Sequence, residues 1–422
     1  MLRYRVAALA LILVISGATL AAAPSNCAPD GVQSSGSIYR ICMPAGGSYN
    51  GMLVLWAHGF QDAGTPVGIP EDQLCANGIC LDELINSLGF AFATNSYSKT
   101  GMAILQGKQD LLDLVGTFTA LHGPPSKVYI VGASEGGIIT ALSVEQYPAV
   151  YDAGVAACGP VGDFPAQIAY FGDARATFEY FFPNVIPGSP FDPDPALVAA
   201  WSDYYDLVVK PIITHPLNAS RLSQWAAVAK LPADAGNWLA TVEQSARDVL
   251  RYSVVNLRDA SATIGGFPYG NRLRWYSGST DDVALNRAVP RVDASPIALY
   301  TMMSQYNTTG RLSRPLVTMH TLRDQQVPYW HEDLYALKTL VSGAFVTRHY
   351  NIPVDRYGHC KFMPDEMLYA FFVMLLYDQF VDTGAASAPT IDAARDAAIR
   401  ERVRIALAPW RNGSRGIGRG GR

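Results

Sequence analysis

Val131-Gly132-Ala133-Ser134-Glu135-Gly136-Gly137 is the stretch whose reading decides the fold. An apolar run, Lys127-Val128-Tyr129-Ile130, leads into it, and a helix-like run, Ile138-Ile139-Thr140-Ala141-Leu142, leads out. Strand, G-x-S-x-G and helix in this order is the context of a nucleophile elbow, a turn so tight that small residues must flank the serine. Gly132 and Gly136 remove the side chains that would clash where strand and helix converge. The turn would then lift the Ser134 hydroxyl above the sheet edge. A G-x-S-x-G match also arises in ordinary Gly-rich turns. The rest of the chain must therefore supply a base, an acid and donors for an oxyanion.

The elbow calls for the chain order serine, acid, histidine. Downstream, Pro315 to Met319 reads as a buried strand, followed by His320-Thr321-Leu322-Arg323-Asp324 and the stop Val327-Pro328. Arg348-His349-Tyr350-Asn351-Ile352-Pro353 reads as a last strand, Asp355 to Cys360 as a turn, and Pro364 to Phe380 as a long apolar helix. In this arrangement Ser134 attacks, His359 takes and returns its proton, and Asp324 fixes the imidazole tautomer and offsets its charge. Asp163 and Asp355 are rival acids. The former follows the apolar run ending at Cys158, and the latter is close in sequence to His359. Of the seven histidines, His359 is preferred for Gly358 beside it and for its place after the last strand. His58 reads as a hydrogen-bonder in a loop and His320 as a shaper of the Asp324 loop. His331 reads as the opening of a helix, His349 as a packed strand residue, and His122 and His215 as loop residues.

Upstream, Met52-Leu53-Val54-Leu55-Trp56-Ala57 is another apolar run, ending in His58-Gly59-Phe60. With these residues, Gly132 to Gly137, His320 to Asp324 with Val327-Pro328, and Gly358-His359, the chain resembles the α/β-hydrolase superfamily over roughly residues 35–160 and 310–382. The resemblance implies an α/β fold, with a mostly parallel central sheet flanked by helices. It also implies serine-hydrolase chemistry of the carboxylesterase kind, with an oxyanion hole made by the backbone N–H groups of Phe60 and Glu135. The Gly358-His359-Cys360 triplet is similar to that of tannase and feruloyl-esterase-like hydrolases, where the Cys after the His pairs with one beside the Ser. Here Ala133 precedes and Glu135 follows Ser134, which departs from that pattern.

All six cysteines, Cys27, Cys42, Cys75, Cys80, Cys158 and Cys360, are disulfide candidates. An even number in an exported chain favours disulfides, and six cysteines allow fifteen connectivities. Locality suggests Cys27 with Cys42 and Cys75 with Cys80, leaving Cys158 and Cys360, both expected beside the active site. A small buried hydrophobe is the other reading of Cys158. Export itself is read from the start of the chain. Met1-Leu2-Arg3-Tyr4-Arg5 is basic, Val6 to Ile15 is apolar, and Thr19-Leu20-Ala21 offers small residues for cleavage, which gives a signal peptide over 1–21. The apolar core is short for a bilayer span of about 20 residues.

Net charge is −4, and removing Arg3 and Arg5 with the signal takes two positive charges away to leave −6. That balance suggests no nucleic-acid partner. Cys75 and Cys80 are a single pair without zinc spacing, no H-E-x-x-H occurs, and no G-x-G-x-x-G opens a helix after a strand. No metal or cofactor is therefore expected.

The sequence divides into a first core part over 22–162, a cap over 163–313, a second core part over 314–382, a linker and helix over 383–410, and a Gly/Arg tail over 411–422 expected to be disordered. The cap shows helix-like runs near 195–210, 220–230, 235–256 and 295–305. It opens with Phe164, Tyr170, Phe171, Phe178, Tyr180, Phe181 and Phe182, candidates for a pocket lining or for the cap's own core. Gly265 to Asn271 reads as a loop folding back toward the sheet. Three functions fit this reading. The first is an exported ester hydrolase acting on a small or polymeric ester. The second is a prolyl-type peptidase with Asp173, Glu179 and Asp203 as anchors for an amino terminus. The third is a non-catalytic binder on the same scaffold.

Overall fold

A computed structural model describes residues 26–76, 78–383 and 389–413. The signal segment, most of the linker and residues 414–422 lie outside the described residues. The central sheet has eight strands. They are β1 (Gly31–Val32), β2 (Ile38–Cys42), β3 (Met52–Ala57), β4 (Ala91–Asn95), β5 (Lys127–Ala133), β6 (Ala153–Ala157), β7 (Leu316–Arg323) and β8 (His349–Tyr357). Their spatial order is β1-β2-β4-β3-β5-β6-β7-β8. The pairs β1/β2 and β2/β4 are antiparallel, and every other neighbouring pair is parallel.

Parallel strands are covered on both faces, which is why β3 and β5 read as continuous apolar runs rather than as alternating ones. Their side chains still alternate between two cores. Leu53, Leu55, Val128 and Ile130 pack on the side of the helices Ile104–His122 and Glu135–Gln146. Val54, Trp56, Tyr129 and Val131 pack on the side of the helices Leu81–Ser87, Pro364–Asp382 and Ala393–Ala406. The elbow helix Glu135–Gln146 is buried from Glu135 through Val144, so its turn cannot shift without repacking the core.

Two expectations from the sequence need correction. The last strand does not stop at Pro353: β8 runs on to Tyr357, with an irregularity between Val354 and Tyr357. Proline lacks the N–H of a ladder residue and is tolerated because β8 is an edge strand. The expected turn at Asp355 therefore begins only at Gly358. The short helix Ala408–Gly413 also covers the first three positions of the expected tail, 411–413, and the rest of that tail lies outside the described residues.

Between β6 and β7 the chain is mainly helical, from Phe164–Phe181 to Pro296–Thr301, and residues of these helices line a cavity at Ser134. Asp163 caps the helix Phe164–Phe181 by accepting from Ala166 N at 3.0 Å. These helices have their own core, in which Phe178, Phe182, Leu222, Trp225, Val242 and Leu250 pack together. Trp225 Nε1 donates to Ala174 O at 3.0 Å, which satisfies the indole inside that core. They are tied to the sheet half by Asp259, which accepts from Met102 N at 2.7 Å and pairs with Lys99 at 3.3 Å.

Three disulfides join Cys27 to Cys42, Cys75 to Cys80 and Cys158 to Cys360. Among the described residues no cysteine is free. No helix among them is long and apolar enough to cross a membrane.

Candidate active site

Ser134 sits between β5 and the elbow helix at φ 59° and ψ −120°. A non-glycine residue held there is strained by about 1–3 kcal/mol, which the buried surroundings must outweigh. The flanking glycines explain how the turn closes. A Cβ on Gly132 would stand 2.3 Å from Gly136 O, and one on Gly136 would stand 1.9 Å from Ala57 O. Ser134 N donates to Ala157 O at 2.9 Å, which anchors the turn to β6.

The structure brings Ser134, His359 and Asp324 into one hydrogen-bonded chain. Ser134 Oγ lies 2.8 Å from His359 Nε2, and His359 Nδ1 lies 2.7 Å from Asp324 Oδ2. Asp324 is fully buried, and its Oδ1 accepts from the Gln326 and Val327 backbone N–H groups, each at 2.9 Å. Burial alone would raise the Asp324 carboxyl. The charge of His359 and the bonds from His320 and His359 outweigh it and hold the group below the usual carboxylate range. The histidine loop is fastened on three sides. Gly358 N donates to Arg323 O at 3.1 Å, Thr321 Oγ1 donates to Gly358 O at 2.7 Å, and Cys360 is bonded to Cys158.

The rival acids are engaged elsewhere. Asp163 caps its helix, and Asp355 pairs with Arg323 at 2.7 Å on the surface. The other histidines are placed as follows. His58 is buried, stacks on Tyr97 at 3.8 Å and lies 2.7 Å from Gly59 O; burial lowers its pKa to about 4. His349 sits between Thr318 and Thr339, also lowered to about 4 by burial. His331, at the start of the helix Trp330–Ser342, accepts from Gly162 N and donates to Gln167 Oε1. His122 ends a helix against Phe118, and His215 caps a short turn.

Phe60 lines both cavity walls with Ser134, and Glu135 directly follows Ser134 at the start of the elbow helix. Among the described residues neither backbone N–H donates to a protein acceptor. Gly59 N donates to Gln73 Oε1 at 2.7 Å, which holds the Phe60 loop in place. The Glu135 side chain was not anticipated from the sequence. Its carboxyl is buried and accepts from Ala103 N at 2.7 Å, and burial raises its pKa to about 8.

Two cavities meet at Ser134. One is mostly apolar, lined by Met102, Ile138, Phe164, Phe171, Phe191 and Phe267 among others. The second is more mixed and runs past Gln73, His359, Phe362 and Met367. Phe60, Ser134, Tyr252 and Gln326 belong to both walls. Of the cap's opening aromatics, Phe164 and Phe171 line the first cavity, while Phe178, Phe181 and Phe182 are spent in the cap core. The loop from Gly265 to Asn271 also reaches the cavity through Phe267, Pro268 and Tyr269. The acidic residues considered for an amino terminus do not form a free cluster. Asp173 is taken up by Arg274, Tyr269 and Tyr276, Glu179 pairs with Arg175, and Asp203 is exposed.

No family model matches the sequence, and no curated protein matches it. Solved structures are distantly similar to it. An esterase from Aspergillus oryzae is 14% identical, with a TM-score of 0.49, over 84% of this chain and 78% of that one. Candida antarctica lipase A in its closed state is 15% identical, with a TM-score of 0.41, over 90% and 85%. A Pyrococcus horikoshii acylaminoacyl peptidase is 11% identical, with a TM-score of 0.41, over 87% of this chain, which spans only 43% of the peptidase. The strand order, the single reversed strand β2 near one edge and the strained serine between β5 and its helix are the features of the α/β-hydrolase fold, and that is the fold of this chain.

Proposed function

We propose that the chain is an exported serine hydrolase that cleaves carboxylic esters through an acyl-enzyme. The observation that carries this reading is the unbroken chain Ser134–His359–Asp324, with the serine strained into the wall shared by two cavities.

Asp324 accepts the proton on His359 Nδ1, so Nε2 is left to accept the Ser134 proton as Oγ attacks the ester carbonyl. The electron pair moves onto the carbonyl oxygen, which the Phe60 and Glu135 amides receive. Aimed donors of this kind are worth about 3–4 kcal/mol each in the transition state. Collapse of the intermediate breaks the bond to the alkoxy oxygen, and His359 returns the proton to the departing alcohol. Water then attacks the acyl-enzyme by the same path in reverse and releases the acid. The buried Asp324 stabilises the imidazolium formed in each half, and no cofactor takes part.

The apolar cavity supports an ester with a sizeable hydrocarbon or aromatic acyl group. A peptidase that grips a free amino terminus needs carboxylates facing the site, and Asp173 and Glu179 are already paired with arginines. Export is supported by three disulfides and by the signal-like start of the sequence.

The deciding experiment is hydrolysis of p-nitrophenyl esters from acetate to palmitate, run beside aminoacyl-anilides, with Ser134→Ala as control. The expected result is ester turnover that disappears in the variant. Anilide turnover without ester preference would move the chain to the peptidases. Turnover surviving in Ser134→Ala would overturn the assignment of the nucleophile.

A further inference from the structure

Behind Asp324 lies a second histidine to which ester cleavage assigns no task. His320 is fully buried within β7. Its Nε2 is 2.7 Å from Val327 O and 3.5 Å from Asp324 Oδ2. Its Nδ1 is 2.9 Å from Glu332 Oε1. Glu332 is buried as well, and its Oε2 accepts from Asn351 Nδ2 at 2.7 Å. Tyr329 OH in turn donates to Asn351 Oδ1 at 2.8 Å, which fixes the amide so that its NH2 faces Glu332.

The donor and acceptor inventory of this cluster leaves little freedom. A backbone carbonyl can only accept, so His320 Nε2 carries a proton. The contact between Nδ1 and Glu332 Oε1 needs one more proton between them. Asp324 on the other flank favours placing that proton on the ring, because an imidazolium then lies between two carboxylates. Burial by itself lowers the affinity of His320 for its second proton. The bonds with Asp324 and Glu332 outweigh burial and push the group up to about 10.

The remaining groups around the cluster do not supply a competing charge. His331, beside it on the helix Trp330–Ser342, is neutral: burial and the charge of His320 hold it well below the usual range, and its Nδ1 accepts two backbone N–H groups. Tyr329 presents its ring edgewise to His320 at 5.9 Å. Burial raises Tyr170, whose hydroxyl donates to Gln325 O on the Asp324 loop. Asp248, on the helix Trp238–Val255, is taken up by the Gln325 and Gln326 amides. His359 Nδ1 reaches the same Asp324 oxygen, Oδ2, at 2.7 Å.

We propose that His320 and Glu332 are a buried positioning pair for the triad, a standing imidazolium and its counter-ion. The pair keeps Asp324 ionised and aimed, so that His359 keeps its counter-charge in acid. The proposal rests on the triad reading above. A positive charge beside the Asp324 carboxylate makes protonation of Asp324 less favourable. Removing that charge makes it more favourable, so activity would fall away at a higher pH.

The test is the pH dependence of kcat/KM on a soluble ester for the full chain and for Glu332→Gln, His320→Gln and the double variant. Glutamine at 332 can donate to His320 Nδ1, which leaves a neutral ring of unchanged size. The expected result is an acid limb moved upward by about one pH unit in each single variant, with kcat on the plateau within a few-fold. The double variant should match Glu332→Gln, because both leave the site without the imidazolium and without its counter-ion. A limb that stays in place while kcat drops at every pH would reduce the pair to a structural support and overturn the proposal. A second readout does not depend on activity. Nitrogen NMR of the Ser134→Ala protein should show both ring nitrogens of His320 protonated at pH 8, and a neutral ring there would refute the proposal even if a variant at 320 or 332 failed to fold. Failure of the triad reading is seen separately, as turnover that survives in Ser134→Ala.

Discussion

The Cys158–Cys360 bond should be worth more to this chain than either of the other two disulfides, and replacing both cysteines by alanine tests why. A crosslink removes loop-closure entropy from the unfolded chain, and the effect grows with the length of the loop. The separation is 202 residues for Cys158–Cys360, 15 for Cys27–Cys42 and 5 for Cys75–Cys80. On the chain-entropy relation these separations correspond to about 5, 3 and 2 kcal/mol. The whole stability of a folded domain is about 5–15 kcal/mol, so the first figure is a large share of it. Cys158 is also fully buried, so its truncation adds a small packing loss.

The bond has a second effect, because Cys360 directly follows His359. In the double variant the histidine loop keeps its bonds at Gly358 and at Asp324 but loses its covalent tie to β6. Turnover should therefore fall by roughly ten-fold rather than vanish, since misplacement by about 1 Å costs up to 100-fold. The assay is urea unfolding of the three paired-alanine variants under non-reducing conditions, with ester turnover measured on each folded protein. The midpoint should fall furthest for Cys158→Ala/Cys360→Ala, and turnover should fall only there. A midpoint no lower than that of the Cys75→Ala/Cys80→Ala variant would refute the entropic reasoning.

Two further outcomes follow from the site. Burial keeps the Glu135 carboxyl protonated up to about 8, whereas in the unfolded chain it ionises in the ordinary glutamate range. Across that window the folded chain holds a proton that the unfolded chain has lost, so this group's contribution to stability falls as pH rises. Glu135→Gln keeps the acceptor for Ala103 N and should abolish the fall, gaining on the order of 3 kcal/mol relative to the parent between pH 5 and pH 8. Urea unfolding of both proteins at the two pH values measures it, and parallel pH profiles would count against a neutral Glu135. Phe171→Ala should widen the apolar cavity and lower kcat/KM for aromatic or long acyl esters by about ten-fold, with acetate little changed. An equal loss on every ester would mean that Phe171 does not face the acyl group.

The elbow was the most legible part of the sequence, because its glycines are dictated by distances inside the turn itself. The same holds for β3 and β5, where a run of apolar residues can only be a doubly covered strand. Asp324 and His359 could be ordered because each follows a strand near the end of the chain. Sequence offered less help with β8, since Pro353 ends a strand in most settings and only its place at the sheet edge lets the strand continue. Glu332 was missed altogether. It lies twelve positions beyond His320, in a helical first turn where acidic residues are ordinary, and only the packing of that helix on β7 joins the two. The cap aromatics could not be sorted in advance. Phe171 and Phe178 share one helix, and what separates pocket from core is the direction each face takes against Trp225 or Ser134.

Ser134 stands in a party wall, and that sets an order of traffic. On the proposed ester chemistry, an acyl group seated in the apolar chamber would leave the alcohol to depart through the mixed one past His359, and the chamber it vacates is the one that holds the proposed base. Whatever enters next through that doorway takes the acyl group. Water yields an acid, while an added alcohol yields a new ester. The ratio of the two products becomes a gauge of how wet the second chamber is while the first remains occupied.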